Sequence, residues 1–423
     1  MLENPAEPIA MRIKILCLTI ALLLFGSLLP AQDSEQPLGD VARQARAARA
    51  HAADSVPRIS TANSPRHGNE PVSDFQLLAW IVGGMPTGDL LLELNTRGIS
   101  FEPNQFYIEQ LRSVCAGAQL IAALQKTPRY ASAERASDAE ALNVLTEAGF
   151  ALNRGQYLKA SQAIVRLLRR DPNNADLYVA LGNIFREGGD FENGAQAYSR
   201  ATDLEPNLAY PHGQLSYMYY KMRDGRSAEA EALKMLALQP KSADAHKFLG
   251  LALQQLRQYD AALAEYDKAL AIQPDYAHVY YDIGIVKAEQ GNLAGAVEAY
   301  RRAMALSPTV PTYYYMLGNA YYKANRFAEA VDALTTAEGL APDDLRIKMN
   351  LGNALASLGR YEEAIPKFRA ILDVDPSWNN ARQSLCYSLL QLGRREEAKK
   401  VRAEWPGYRP NAQLEGSGAA PSN

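Results

Sequence analysis

Prolines recur at one fixed interval along most of this chain, and no other feature restricts its fold as strongly. Three columns of residues keep a spacing of 34. They are Pro172, Pro206, Pro240, Pro274, Pro308, Pro342, Pro376 and Pro410; Ala160, Gly194, Ala228, Ala262, Ala296, Ala330, Ala364 and Ala398; and the small residues Gly182, Ser216, Gly250, Gly284, Gly318, Gly352 and Cys386. Such a period indicates a repeat architecture in which each unit packs mainly on its neighbours.

Within each unit the apolar residues follow helical spacing. Tyr178, Leu181 and Phe185 lie at i, i+3 and i+7, which places them on one buried stripe. The small residues let two helix backbones approach closely, so each unit is predicted to be a pair of antiparallel helices. The turn between them needs a residue that tolerates a positive φ, and glycine or asparagine supplies it in most units. Arg223 and Arg257 stand there in the third and fourth units, where we expect looser turns.

These units resemble the tetratricopeptide-repeat (TPR) family. The resemblance is strongest in LGNAYYKANRFAEA at 317–330 and LGNALASLGRYEEA at 351–364, and it extends over about 141–410. It implies an all-α fold: a right-handed α-solenoid of about eight 34-residue helical hairpins, the TPR superhelix. The helical pattern of residues 71–130 predicts a small helical module before this array.

The resemblance also implies a concave surface, formed by the first helix of each hairpin, that holds an extended peptide or a partner protein. The candidate binding residues are the tyrosines and asparagines beside the buried stripe: Asn183, Tyr217, Tyr220, Tyr281, Tyr315, Asn319, Tyr322 and Asn353. Tyrosine offers a large ring with a polar tip, and asparagine both donates and accepts hydrogen bonds. The alternative is that these rings belong to the hairpin cores, because the family favours tyrosine and asparagine at several of these positions.

One known binding mode of the family is not expected. Asn319, Asn350 and Arg346 match part of the carboxylate clamp, which grips the terminal carboxylate of a peptide. Tyr315 stands where the first lysine of that clamp would be.

The start of the chain has the layout of a signal peptide. Arg12 and Lys14 precede an apolar run at 15–29, and Pro30 and Ala31 follow it. The run is shorter than the roughly 20 residues that cross a membrane. We therefore predict a signal peptide at 1–31 with its natural start at Met11, and export to the periplasm or the medium. The alternative is an uncleaved anchor, the one case in which membrane contact is expected.

Three further segments complete the domain prediction. Residues 32–70 are predicted to be a disordered linker and 411–423 a disordered tail, because neither has the apolar periodicity of a core. The module at 71–130 is predicted to contain four short helices. A DNA-binding helix-turn-helix is the rival interpretation of this module, and the signal peptide and the scarcity of basic residues in it argue against that interpretation.

Neither catalysis nor a cofactor is indicated. The sequence has no metalloprotease, serine-hydrolase or phosphate-loop motif, and its five histidines lack carboxylates and thiols at metal-ligand spacing. The 44 basic and 47 acidic residues leave a net charge of −3, which does not favour nucleic acid. We predict a non-enzymatic protein–protein interaction scaffold of the cell envelope, with a protein or peptide partner and no metal, cofactor or small-molecule substrate. The alternative is an accessory subunit of a separate envelope enzyme, such as a glycosyltransferase or a peptidase.

Overall fold

The computed structural model describes residues 70–114, 116–130 and 139–403. The predicted signal peptide at 1–31, the linker except for Glu70, Cys115 and the tail at 411–423 lie outside the described residues. Twenty helices and no strand occur in the described part, which confirms the all-α prediction. The chain divides into two compact units, of which the first ends at Lys241 and the second begins at Ser242.

Unit 1 contains the module and three hairpins. Its helices are α1 (Asp74–Val82), α2 (Thr87–Arg97), α3 (Gln105–Ser113), α4 (Ala118–Leu124), α5 (Ala139–Asn153), α6 (Tyr157–Leu168), α7 (Ala175–Glu187), α8 (Phe191–Leu204), α9 (Ala209–Lys221) and α10 (Gly225–Leu238). Consecutive helices from α5 to α10 pack against one another as hairpins. The module packs on this array through α1, which contacts α5 and α7. The sequence predicted the module as a separate segment, whereas the structure joins it to the first three repeats.

Unit 2 contains five hairpins. Its helices are α11 (Ala243–Gln255), α12 (Tyr259–Ile272), α13 (Ala277–Glu289), α14 (Leu293–Leu306), α15 (Pro311–Lys323), α16 (Phe327–Leu340), α17 (Leu345–Ser357), α18 (Tyr361–Val374), α19 (Asn379–Gln391) and α20 (Arg395–Ala403). The odd-numbered helix is the first of each hairpin. The second helix of one hairpin packs against the first helix of the next.

The column of small residues lies where the two helices of a hairpin cross, as the sequence predicts. A Cβ atom added at Gly318 would lie 2.6 Å from Cγ of Leu334, and one added at Gly352 would lie 2.6 Å from Cε1 of Phe368. The glycines are therefore covered by large side chains from the second helix, a detail the sequence analysis missed. Cys386 is buried in the same column, and its thiol donates to the carbonyl of Ala398 across the hairpin, at 3.8 Å.

The expectation of looser turns at Arg223 and Arg257 is wrong. Both residues adopt a positive φ, at 62° and 60°, close to the 58° of Asn325. The Arg257 N–H donates to Gln254 O, and the next N–H donates to Leu253 O, which is the pattern seen around Asn325. The two arginines thus make the same turn as glycine and bear the steric cost of the left-handed conformation.

The module is held together by more than its helices. Val72, Ile99 and Arg129 form parallel β-bridges, with Val72 N donating to Gly98 O at 3.0 Å and Ile99 N donating to Pro128 O at 2.9 Å. These bonds tie the two ends of the module to its middle. Helix α1 packs against the repeats, and six of its nine residues are buried.

Candidate functional site

The predicted binding residues all lie on first helices, and within each unit we call the face that carries them the first-helix surface of that unit. In unit 1 it comprises Asn183 on α7 and Tyr217 and Tyr220 on α9. In unit 2 it comprises Tyr281 on α13, Tyr315, Asn319 and Tyr322 on α15, and Asn353 on α17. The hairpin places these side chains on one side of each first helix because they flank the column of small residues that packs on the second helix.

Part of this surface in unit 1 is already occupied by α1. Asn183 is only 3% exposed, and its Nδ2 donates to Val82 O at 2.8 Å. The Tyr210 hydroxyl donates to Gly83 O at 2.9 Å. The expectation that Asn183 faces an open groove is therefore corrected, since its amide binds the end of a helix from the same chain.

A buried carboxylate fixes the other side of α1. Asp176 on α7 accepts hydrogen bonds from Trp80 Nε1 at 2.6 Å and from Gln76 Nε2 at 3.4 Å. Trp80 is 1% exposed, and the guanidinium of Arg97 lies 5.5 Å from the centre of its ring. A buried carboxylate requires such donors, so these contacts specify where α1 docks.

Tyr217 and Tyr220 form a separate pair on α9. Their rings stack with centroids 6.2 Å apart, and Nζ of Lys221 lies 5.7 Å from the Tyr217 ring. Both rings are half-buried. They offer an aromatic face with an adjacent positive charge.

In unit 2 the structure brings three predicted residues together around one open pocket of about 330 Å³. Asn319 and Tyr322 of α15 line it with Asn353 of α17. The remaining lining comes from Ala288, Tyr300, Met316, Ala320, Lys323 and Asn350. The pocket thus combines an apolar lining with three amides and one ammonium group, a combination typical of ligand sites in which a few polar groups orient the ligand.

The amides in this pocket are held by neighbouring repeats. Nδ2 of Asn350 donates to Oδ1 of Asn319 at 2.6 Å and makes a longer contact with the Tyr315 hydroxyl at 3.3 Å. Oγ of Ser384 on α19 donates to Oδ1 of Asn353 at 3.2 Å. Each oxygen of the two predicted asparagines is therefore engaged, and each amide N–H₂ is left to donate.

The predicted tyrosines of unit 2 are neither fully exposed nor fully buried. Tyr281 packs on Tyr313 with centroids 5.5 Å apart, and Tyr322 meets Phe327 edge-on at 5.4 Å. Tyr315 lies under the guanidinium of Arg346, at 5.9 Å. All three predicted rings contact a hydrophobic core while keeping part of their surface accessible. The hairpin-core alternative thus holds in part for these rings, and the binding surface stays a prediction that their accessible part allows.

Sequence reasoning missed a half-buried ionic cluster formed by residues of α11 and the start of α13. Lys247 Nζ lies 2.7 Å from Oδ1 of Asp244, and the Tyr276 hydroxyl also bonds to that carboxylate. Burial alone would lower the pKa of Lys247, but the carboxylate of Asp244 raises it overall. Asp282 is 7% exposed, and burial raises its pKa to about 7 although the Lys247 charge acts in the opposite direction.

The histidines of adjacent repeats serve hairpin structure. Nδ1 of His212 lies 2.7 Å from Oε2 of Glu231, and Nδ1 of His246 lies 2.7 Å from Oε2 of Glu265. Each pair joins the first helix of a hairpin to the second. Among the described residues no group of three histidine, cysteine or acidic side chains is placed to hold a metal ion.

Comparisons with known families agree with this architecture. A family model described as Tetratricopeptide repeat matches residues 145–209 and 315–381, and a second, described as TPR repeat, matches 255–291 and 286–325. The chain therefore belongs to the tetratricopeptide-repeat family. Proteins of this family are generally non-enzymatic scaffolds that bind protein or peptide partners. No curated protein matches the chain.

Several solved structures are similar to the chain. The APC/C hetero-tetramer Cut9-Hcn1 contains a chain that is 16% identical, with 74% of this chain and 58% of that chain covered and a TM-score of 0.53, which supports the shared fold. MamA is 28% identical, covering 38% of this chain and 94% of its own, with a TM-score of 0.32. A thermophilic TPR protein of Thermus thermophilus, TTC0263, is 22% identical, covering 43% of this chain and 100% of its own, with a TM-score of 0.41.

Proposed function

We propose that this protein is a scaffold of the cell envelope that holds a peptide segment of a partner protein on the first-helix surface of unit 2. The observation that carries the proposal is the pocket at Asn319, Tyr322 and Asn353, where two amide donors are held in place beside accessible aromatic rings. Amides bind the backbone of a peptide, and the rings supply apolar contact area around it.

The experiment that tests this role replaces Tyr315 and Tyr322 together by alanine. We expect the double variant to lose more than about 2 kcal/mol of partner binding, the effect typical of aromatic hot spots. Affinity capture from an envelope extract, followed by titration of the dominant partner, measures this loss. Because both rings also touch the core, the variant should melt at a lower temperature but still cooperatively, and capture is performed well below that melt.

The matched control is Tyr314→Ala on the same helix. Tyr314 does not line the pocket, and its hydroxyl donates to Pro308 O at 3.1 Å. The control should therefore retain the partner although it too loses a half-buried ring. Equal retention by the control and the double variant would refute a binding role for this surface.

The envelope location rests on the sequence at 11–31, which lies outside the described residues. No helix of the described part is both long and apolar enough to cross a membrane. We expect mass spectrometry of the protein made in a bacterial host with a general secretory pathway to give a mature N-terminus near Gln32. A soluble form that still carries 15–29 would contradict the export proposal.

A further inference from the structure

Helix α1 provides an example, within this chain, of what a first-helix surface can bind. The carbonyls at the end of a helix have no partner in the helix itself. At the end of α1 two such groups, Val82 O and Gly83 O, accept from Asn183 Nδ2 and the Tyr210 hydroxyl. The surface of unit 1 therefore recognises the C-terminal end of an apolar helix through two donors from adjacent repeats.

Two glycines allow this close approach. A Cβ atom added at Gly83 would lie 2.8 Å from Cγ1 of Val179, and one added at Gly84 would lie 2.7 Å from Oδ1 of Asn183. Gly84 also adopts a positive φ of 68°, which ends the helix. The helix that binds here must consequently end in small residues.

The 34-residue register places related side chains in unit 2. Asn319 occupies, four repeats further along the chain, the position of Asn183. In the same way Tyr315 corresponds to Val179, and Arg346 corresponds to Tyr210. The asparagine is the same, and the neighbouring hydroxyl donor is replaced by a guanidinium. The surface of unit 2 therefore has donors at the two register positions whose side chains hold the end of α1 in unit 1.

In both units the oxygen of the amide is held by a neighbouring side chain, although the partner differs. Oδ1 of Asn183 accepts from Nη2 of Arg186 at 2.6 Å, which turns Nδ2 towards the bound helix. Oδ1 of Asn319 accepts from Nδ2 of Asn350 at 2.6 Å. Its own Nδ2 has no hydrogen-bond partner in the described part of the chain, so it is free to donate to a ligand.

The positive charge of Arg346 also favours the C-terminal end of a helix as the ligand of this surface. The C-terminal end of a helix carries a partial negative charge. Arg346 is held beside Tyr315 by a two-point contact with Asp344, at 3.1 and 2.7 Å, and its side chain remains 70% exposed. Since a guanidinium has five N–H donors, it can keep this contact and still face a helix end.

We propose that the first-helix surface of unit 2 binds the C-terminal end of an apolar helix that ends in small residues and belongs to a partner protein. Asn319 donates to a terminal carbonyl of that helix, Arg346 faces its negative end, and Tyr315 packs along its side. This inference rests on the proposed function and specifies the conformation of the bound segment.

The test uses the full chain, in which α1 already occupies unit 1. The probe is a labelled peptide with the sequence of residues 74–84, held helical by a lactam bridge, and its counterpart carries two internal prolines that prevent a helix. We expect the helical form to bind at least about tenfold more tightly than the proline form, as measured by fluorescence anisotropy.

Asn319→Asp is the decisive variant. A carboxylate at 319 still accepts from Asn350, so the contact between α15 and α17 is preserved, but it cannot donate to a carbonyl. We expect it to weaken binding of the helical probe about tenfold or more. Asn379→Asp introduces the same charge at an exposed position of α19 outside the pocket and should change binding little. Circular dichroism melts of both variants establish that they are folded.

Three outcomes would overturn the inference: tighter binding of the proline form, no binding of the helical form, or equal binding by Asn319→Asp and the native protein. None of them decides the proposed function, which depends on partner capture by the Tyr315 and Tyr322 double variant. If the double variant loses the partner while the helical probe fails, the surface binds a segment of another conformation. If the helical probe fails and the double variant still captures the partner, both proposals are wrong.

Discussion

Replacing Trp80 by alanine is expected to destabilise unit 1 by about 3–5 kcal/mol, the range for loss of a large buried ring. The ring is almost completely buried between α1 and the repeats, and its N–H donates to the carboxylate of Asp176. The variant loses apolar contacts and also leaves a buried carboxylate with one donor fewer, and both changes act in the same direction. Urea unfolding followed by circular dichroism measures the free energy of unfolding.

The control for this prediction is Trp80→Phe. Phenylalanine retains most of the apolar volume but cannot donate to Asp176, so it should lose only part of the stability that alanine loses. Equal losses in both variants would show that the hydrogen bond accounts for the effect. A loss below about 1 kcal/mol for Trp80→Ala would contradict the docking of α1 on α7.

Replacing Asp282 by asparagine is expected to change how stability depends on pH. In the folded protein the carboxyl keeps its proton up to about pH 7, whereas in the unfolded chain it loses the proton near its ordinary pKa of about 3.9. At pH values between these two pKa values the folded state binds more protons than the unfolded state. The contribution of Asp282 to the stability of the folded protein therefore falls as the pH rises. Asparagine cannot ionise. The stability of the variant relative to the native protein should rise through this window, by up to about 4 kcal/mol at pH 8.

Denaturation curves at half-unit steps from pH 4 to pH 8 test this expectation. Asp267→Asn on α12 is the matched control, because it makes the same chemical change at an exposed carboxyl on the neighbouring helix. Parallel profiles for Asp282→Asn and the native protein would show that another group controls stability in this range.

The repeats could be predicted because their determinants are local and periodic. Gly318 and Gly352 mark the helix crossings in the sequence, and the structure places large side chains against both. The turn at Arg257 was misjudged because a steric preference of about 1–2 kcal/mol is small beside the packing of a whole hairpin. The packing of the hairpin therefore holds Arg257 at a positive φ, a conformation that glycine adopts more readily.

The docking of α1 could not be predicted in this way. Trp80 and Asp176 are 96 residues apart, and the module has no repeat that would place it in the register of α7. Asn183 was identified as a binding residue from its position alone, and that position says nothing about which helix it binds. A sequence signal did exist in the pair Gly83 and Gly84, which permits a close backbone approach.

The candidate site of unit 2 was partly accessible from sequence. Register brought Asn319, Tyr322 and Asn353 to one face, and the structure places them around one pocket. The bonds from Asn350 and Ser384 that orient the amides depend on contacts between repeats, which spacing alone does not give. Asp282 gave no signal, because its raised pKa comes from burial and not from any motif.

The packing of a large side chain on the glycine of a helix crossing, seen in five of the hairpins, has a consequence for how such a chain can change by duplication. Since the glycine of the crossing and the side chain that covers it belong to the same 34 residues, a hairpin copied or deleted as a whole carries its internal fit with it. In unit 2 the length of the array is therefore open to evolutionary change. In unit 1 it is not, because α1 binds Asp176, Asn183 and Tyr210 together, and a hairpin copied or deleted there would disturb this set of contacts.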